Sequence, residues 1–222
     1  MELPASTEFL DTLLGAVSHL SKLQHCKIEI CSSTWPGWAE RDQFVEGTTL
    51  YPLFRLKHMY PFELLNVPVE LIADDLREMV IGWPTLETLR LIPRTVNSPY
   101  SCMELDDFAL IAEHCRYIRT LDVELAFVAE DWTWERTDSK VLPSSLSSLR
   151  LGSSCIPPVA APEVASYLAR LFPETSIYHN HPTERWERPR EPDVVDYADV
   201  IDGIERLQRK IMAEVTKDST TR

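Results

Sequence analysis

The chain has 222 residues and a formal net charge of −13. That length suits one large domain or one run of a repeat array, and the acidity disfavours binding a phosphate backbone or an anionic membrane through a broad basic face. Hydrophobic residues at 44% allow a continuous core, while 6 glycines against 16 prolines argue against glycine-rich phosphate loops and for many rigid turns.

The first stretch, MELPASTEFLDTLLGAVSHLSKLQ, reads as one amphipathic helix with Leu10, Leu13, Leu14, Val17 and Leu20 on a face. It lacks the basic start and small-residue cleavage site of a signal peptide. Cys26, Cys31, Cys102, Cys115 and Cys155 form an odd, dispersed set with no Cys-x-x-Cys pair, unlike a secreted disulfide framework. Apolar runs are too short to span a bilayer. These features favour a reducing compartment, cytoplasmic or nuclear.

Further along, the pattern apolar-x-x-apolar-x-apolar recurs. KIEI, with Ile28 and Ile30, is a first and weaker copy. Full copies are Met59, Phe62 and Leu64; Leu86, Leu89 and Leu91; Ile118, Leu121 and Val123; and Leu146, Leu149 and Leu151. Their steps are 27, 32 and 28 residues, a narrow spread that chance matches rarely give.

Helical stripes precede or follow these copies. Leu71, Leu76, Met79 and Val80 mark one in ELIADDLREMVIGW. Leu105, Phe108, Ile111, Ala112 and Cys115 mark another in ELDDFALIAEHC. In APEVASYLARLFP, Pro162 suits a first helical position, and Val164, Leu168 and Leu171 face one way. Asp74-Asp75 and Asp106-Asp107 fall in first turns, where acidic groups favour the helix dipole by about 0.3–1 kcal/mol.

Each unit therefore reads as helix, tight turn, short strand. One unit cannot bury its own apolar face, so neighbours must stack. The expected fold is α/β: a leucine-rich-repeat-like solenoid arc of about four to five irregular helix-turn-strand units, with a parallel sheet and terminal helices. The competing arrangement is an ordinary α/β domain with helices on both faces of a parallel sheet. Residues 1–182 would form the repeat domain with its N-terminal helix, 183–192 a charged, proline-rich linker, 193–217 a C-terminal helix and 218–222 a disordered tail. Val200, Ile204, Leu207, Ile211 and Val215 stripe that last helix, which would seal the final repeat or pack on another chain.

The units DDLREMVIGWPTLETLRL, DDFALIAEHCRYIRTLDVEL and APEVASYLARLFP resemble the leucine-rich-repeat-like region of fungal F-box proteins, particularly those of mushroom-forming fungi. The likeness covers about residues 50 to 180. It implies a non-catalytic role in which the repeat arc holds a substrate for a ubiquitin ligase. The F-box that would hold a cullin-ligase adaptor has no counterpart here, so that partner is expected only if an F-box lies upstream. The asparagine or cysteine ladder of such repeats is also replaced, by Val67, Arg94, Ala126 and Ser154.

The residues between the strand leucines should face away from the core. They are Lys27 and Glu29; Glu63; Thr88 and Arg90; Thr120, Asp122 and Glu124; and Ser148 and Arg150. They make a mixed polar strip suited to a protein partner, or simply a solvated sheet face. Trp132 and Trp134, in the insert AEDWTWERTDSK, are candidate interface anchors or edge-covering rings. His179 and His181 could share a metal, but no further ligand has helpful spacing. Neither His25-Cys26 nor His114-Cys115 makes a catalytic pair as sequence neighbours. The expectation is thus a protein-recognition module with no catalytic, cofactor or metal site and no nucleic-acid or membrane partner. The alternatives are a truncated or degenerate paralogue acting in self-association and, further off, an α/β enzyme.

Overall fold

The computed structural model describes residues 7–29, 45–67, 69–92, 103–125, 145–152, 156, 159–178, 206 and 209, and every structural statement concerns these. The elements in chain order begin with α1 (Thr7–Val17), β1 (Cys26–Glu29), β2 (Val45–Glu46) and a 3₁₀ helix (Gly47–Arg55). There follow β3 (Pro61–Leu65), β4 (Val69–Glu70), α2 (Ala73–Gly82), β5 (Thr88–Ile92) and α3 (Asp107–His114). The last are β6 (Thr120–Val123), β7 (Ser148–Arg150), α4 (Ala161–Leu171) and β8 (Ser176–Tyr178).

Six strands pair in the order β1-β3-β5-β6-β7-β8, all parallel, and β2 pairs with β4 in a separate two-stranded parallel sheet, so the fold is mixed α/β with a main parallel sheet. Pro61 pairs with Thr88, Thr88 with Thr120, and Thr120 with Ser148. Those offsets match the steps between the sequence copies. Phe62, Leu89, Leu121 and Leu149 consequently form one buried row. Met59, Leu86, Ile118 and Leu146 are buried two residues ahead of each strand. All join one apolar cluster with Leu76, Met79, Phe108, Ile111, Val164 and Leu168 of the helices.

The same turn links helix to strand repeatedly. Trp83, Cys115 and Phe172 each end a helix, and their N–H groups donate back to Met79, Ile111 and Leu168. The carbonyls of Trp83, Cys115 and Phe172 then accept from Leu86, Ile118 and Thr175. One carbonyl ahead of a strand next takes two N–H groups from the following rung: Tyr60 from Glu87 and Thr88, Glu87 from Arg119 and Thr120, Arg119 from Ser147 and Ser148. This accounts for backbone polar groups that would otherwise be lost in the turns. Hydroxyls bind other carbonyls in these turns. Thr85 donates to the Met59 carbonyl at 3.2 Å, Ser145 to that of Ile118 at 2.8 Å and Thr175 to that of Leu146 at 2.6 Å. Of the residues that the resemblance sets at a ladder, Val67 is buried; Arg94, Ala126 and Ser154 lie outside the described residues.

Several expectations need correction. The N-terminal helix stops at Val17 rather than running on through Leu20, which is exposed. Ser18 ends it, its hydroxyl donating to the Gly15 carbonyl at 2.7 Å and competing with helix continuation. In β1 it is Cys26 and Ile28, rather than Ile28 and the next residue of the copy, that align with Phe62 and Leu64; Ile30 lies outside the described residues. A 3₁₀ helix, with Leu50, Leu53 and Phe54 buried, precedes β3; its interior Pro52 breaks the α-helical pattern that would have marked it in sequence. Strand β8 was not anticipated either, although Phe172-Pro173 repeats the Trp83-Pro84 turn signal. The C-terminal helix is described only at Arg206 and Arg209, both helical and exposed; the linker, the tail, His179 and His181 lie outside the described residues.

Candidate polar strip on the sheet

Alternation along each strand sends every second residue to the face opposite the apolar cluster. Register then gathers Lys27, Glu63, Arg90, Asp122 and Arg150 into one row across five neighbouring strands. Their charges alternate from rung to rung. Arg90 sits mid-row, donating from Nη1 to Glu63 at 3.0 Å and from Nε to Asp122 at 3.2 Å. Arg150 Nη1 reaches Asp122 from the other side at 3.9 Å. Opposite charges on neighbouring strands favour this register, and like charges there would oppose it.

The row is graded in depth. The Asp122 side chain is 3% exposed, Glu63 21%, Arg90 29% and Arg150 41%. Burial pushes the Asp122 carboxyl above its usual range, while Arg90 and Arg150 pull it down and Glu63 adds to the rise. Desolvation thus outweighs the two guanidiniums.

Beside this row runs a second of small hydroxyls: Thr88, Thr120, Ser148 and Ser176 occupy equivalent rungs. Glu29 belongs to a third row, level with Leu65 and Ile92, and pairs with Lys27 at 3.3 Å. Glu124 follows β6 and is buried next to Gly152, whose φ of 53° suits a residue without a Cβ. The structure therefore gathers Glu63, Arg90, Asp122 and Arg150 directly, with Thr88 alongside and Glu29 and Glu124 in the adjoining row. Trp132 and Trp134 lie outside the described residues.

A separate polar contact holds α2. The Asp75 carboxylate accepts from the Ile72 N–H at 3.2 Å and from the Tyr51 hydroxyl at 2.7 Å. That hydrogen bond raises the Tyr51 phenol above its usual value. A Cβ on Gly47 would overlap the Asp75 carboxylate, so a glycine is required at this approach. The Asp107 carboxylate repeats half of this arrangement, accepting from the Glu104 N–H at 2.8 Å. The sequence places both aspartates in first turns but does not show which second partner they take.

Burial raises the Cys26 thiol and pushes that of Cys115 up to about 12, so both stay protonated and poorly nucleophilic. Among the described residues no group of three or more His, Cys, Asp or Glu could hold a metal ion, and no helix is long and apolar enough to cross a membrane. What the strip offers chemically is a set of charged donors and acceptors fixed at strand spacing. No protein-family model matches the chain, and none of the curated proteins compared with it matches either.

Proposed function

We propose that this chain is a leucine-rich-repeat-like solenoid arc that recognises another protein through the polar face of its sheet, in the cytoplasm or nucleus. The observation that carries the reading is the in-register row Lys27, Glu63, Arg90, Asp122 and Arg150. A sequential strand order with a constant turn stacks unit on unit, as a solenoid requires, and brings side chains far apart in sequence to one surface. By its resemblance to F-box proteins, the arc is the substrate-holding arm of a ubiquitin-ligase receptor, with a cullin adaptor as a partner only if an F-box lies upstream.

A photo-crosslinking residue at Thr88 or Thr120, used in cells, tests the recognition step. A defined partner should be captured by the native strip and lost with Arg90→Glu. Cross-links that ignore this charge reversal would reject the polar face as the contact surface. The ligase reading is tested separately by adaptor capture. If this chain fails to bring down a cullin adaptor where an F-box-bearing relative succeeds, it is not a receptor in its present form.

A second reading is self-association. Among the described strands, β1 and β8 are each paired on one side only, and such edges can pair with another copy. Sedimentation at rising concentration decides it: a stable monomer removes the second reading.

A further inference from the structure

The recognition reading leaves the chemistry of the partner open, and the depth of the charges in the strip narrows it. Within the alternating row the acids lie low and the cations stand above them: Asp122 is almost fully buried and Glu63 is mostly covered, whereas Arg90, Arg150 and Lys27 reach further out. Arg90 spends its Nε and one Nη1 donor on Asp122 and Glu63, and its Nη2 group is not engaged in either contact. Two anchors on neighbouring strands fix the plane of that guanidinium before any partner arrives. Arg90 and Arg150 are two strands apart, which sets their backbones about 10 Å from each other.

Resting on the recognition reading, we infer that the strip takes an acidic polypeptide segment, whose carboxylates pair with Arg90 and Arg150, and that Asp122 is the positioning residue that aims the Arg90 guanidinium. The chain is acidic as a whole, with a net charge of −13, yet its charges beyond about 8 Å are screened at physiological salt. Contact pairs therefore govern the choice of partner. Asp122 is buried and Glu63 is already paired with Arg90, so neither is offered to a basic segment.

The test uses the full chain and a short fluorescent peptide with Glu at every third position, beside the same peptide with Lys. The Glu peptide should bind at physiological salt and the Lys peptide should not. Arg90→Gln and Arg150→Gln should each weaken binding about tenfold. Asp122→Asn separates positioning from bulk electrostatics. Removing a negative charge should tighten an acidic ligand if only net charge mattered, whereas loss of aim should weaken it about tenfold despite the more favourable charge. A native circular-dichroism spectrum and an urea midpoint confirm that the variant is folded; should it unfold, Arg90→Gln alone decides.

Preference for the Lys peptide, binding indifferent to Arg90, or tighter binding by a folded Asp122→Asn variant would each overturn the inference. If neither peptide binds while Arg90-dependent cross-links to a partner persist, the acidic-segment idea fails and the recognition reading stands. Loss of the cross-links as well would remove both.

Discussion

The unit built from α2 and β5 and the one built from α3 and β6 are the same frame set 32 residues apart, as the pairing of Thr88 with Thr120 shows. Their aspartates, Asp75 and Asp107, occupy equivalent first-turn positions and are both buried. Their helix ends, Trp83 and Cys115, make the same backbone turn. The filling differs. Trp83 packs against Phe54 and Phe62 with ring centroids 5.3 and 4.8 Å away, and its Nε1 donates to the Leu53 carbonyl at 3.0 Å. Cys115 is small, and the large rings nearby in the sequence-order stack are Phe108 and Phe172, whose centroids lie 6.0 Å apart. The turn is thus a backbone property that tolerates either residue, while the volume behind it is filled locally.

If that division is right, equivalent substitutions should have unequal costs. Trp83→Ala should destabilise by about 3–5 kcal/mol, since it opens a large cavity and removes one of the two donors to the Leu53 carbonyl, leaving the Leu56 N–H. Cys115→Ala should cost about 1 kcal/mol, because it removes one sulfur and keeps the turn. Urea unfolding of both variants measures the gap. Equal losses would mean that the turn itself depends on the side chain.

The aspartates sharpen the contrast. Asp75→Ala removes the acceptor of both the Ile72 N–H and the Tyr51 hydroxyl, whereas Asp107→Ala removes that of the Glu104 N–H alone, at about 1 kcal/mol for each backbone bond lost, so the first should cost more. Tyr51→Phe should lower the cost at Asp75 towards that at Asp107. Gly47→Ala, which pushes a methyl group into the Asp75 carboxylate, should by itself cost about 1–3 kcal/mol. A neutral Gly47→Ala variant would show that this contact is loose.

How far such detail could be read in advance differs with the scale of the interaction. Leu86, Leu89 and Leu91 and their counterparts announce the sheet register because burial imposes a period that apolar residues alone can satisfy. The charged row followed from the same period, since residues between buried ones must face the other way. Its pairings did not, because Arg90 joins groups 27 and 32 residues away and only the register brings them together. Cys26 was missed as an inward residue because a thiol in a four-residue edge strand looks no more apolar than the Ile30 beyond it. Strand β8 failed for a related reason: at three residues it shows too few positions for alternation to register. Trp132 and Trp134 fall outside the described residues, so the second half of the anticipated interface rests on sequence alone.

The thiols of β1 and of the α3 end should also part company. With Cys115 pushed up to about 12, its thiolate is a negligible fraction at pH 8, and alkylation must wait for the chain to open. Cys26 lies in the edge strand β1 and is raised by burial as well. Timed alkylation with mass mapping should label Cys26 before Cys115, and Cys115 at a rate that rises with urea. Rapid labelling of Cys115 in the native state would break the assignment of that side chain to the shared core.

The smallest expected effect concerns pH and Asp107. Burial raises its folded-state pKa above the ordinary carboxylate value of 3.8, against the lowering effect of the Glu104 N–H, with Glu104 and Asp106 reinforcing the rise. The folded chain therefore takes up a proton at this site before the unfolded chain does. Around pH 7, where both states carry the charge, burial of the carboxylate weakens the fold; as pH falls towards 3.8 the folded form protonates first and that penalty is relieved. Asn at this position can still accept from the Glu104 N–H but never ionises. Asp107→Asn should then compare best with the native chain at pH 7 and progressively worse as the solution is acidified. A stability difference that stays flat between pH 7 and 4, or that moves the other way, would show that the hydrogen bond from Glu104 outweighs desolvation, and that Asp107 is held as a stabilised carboxylate despite its burial.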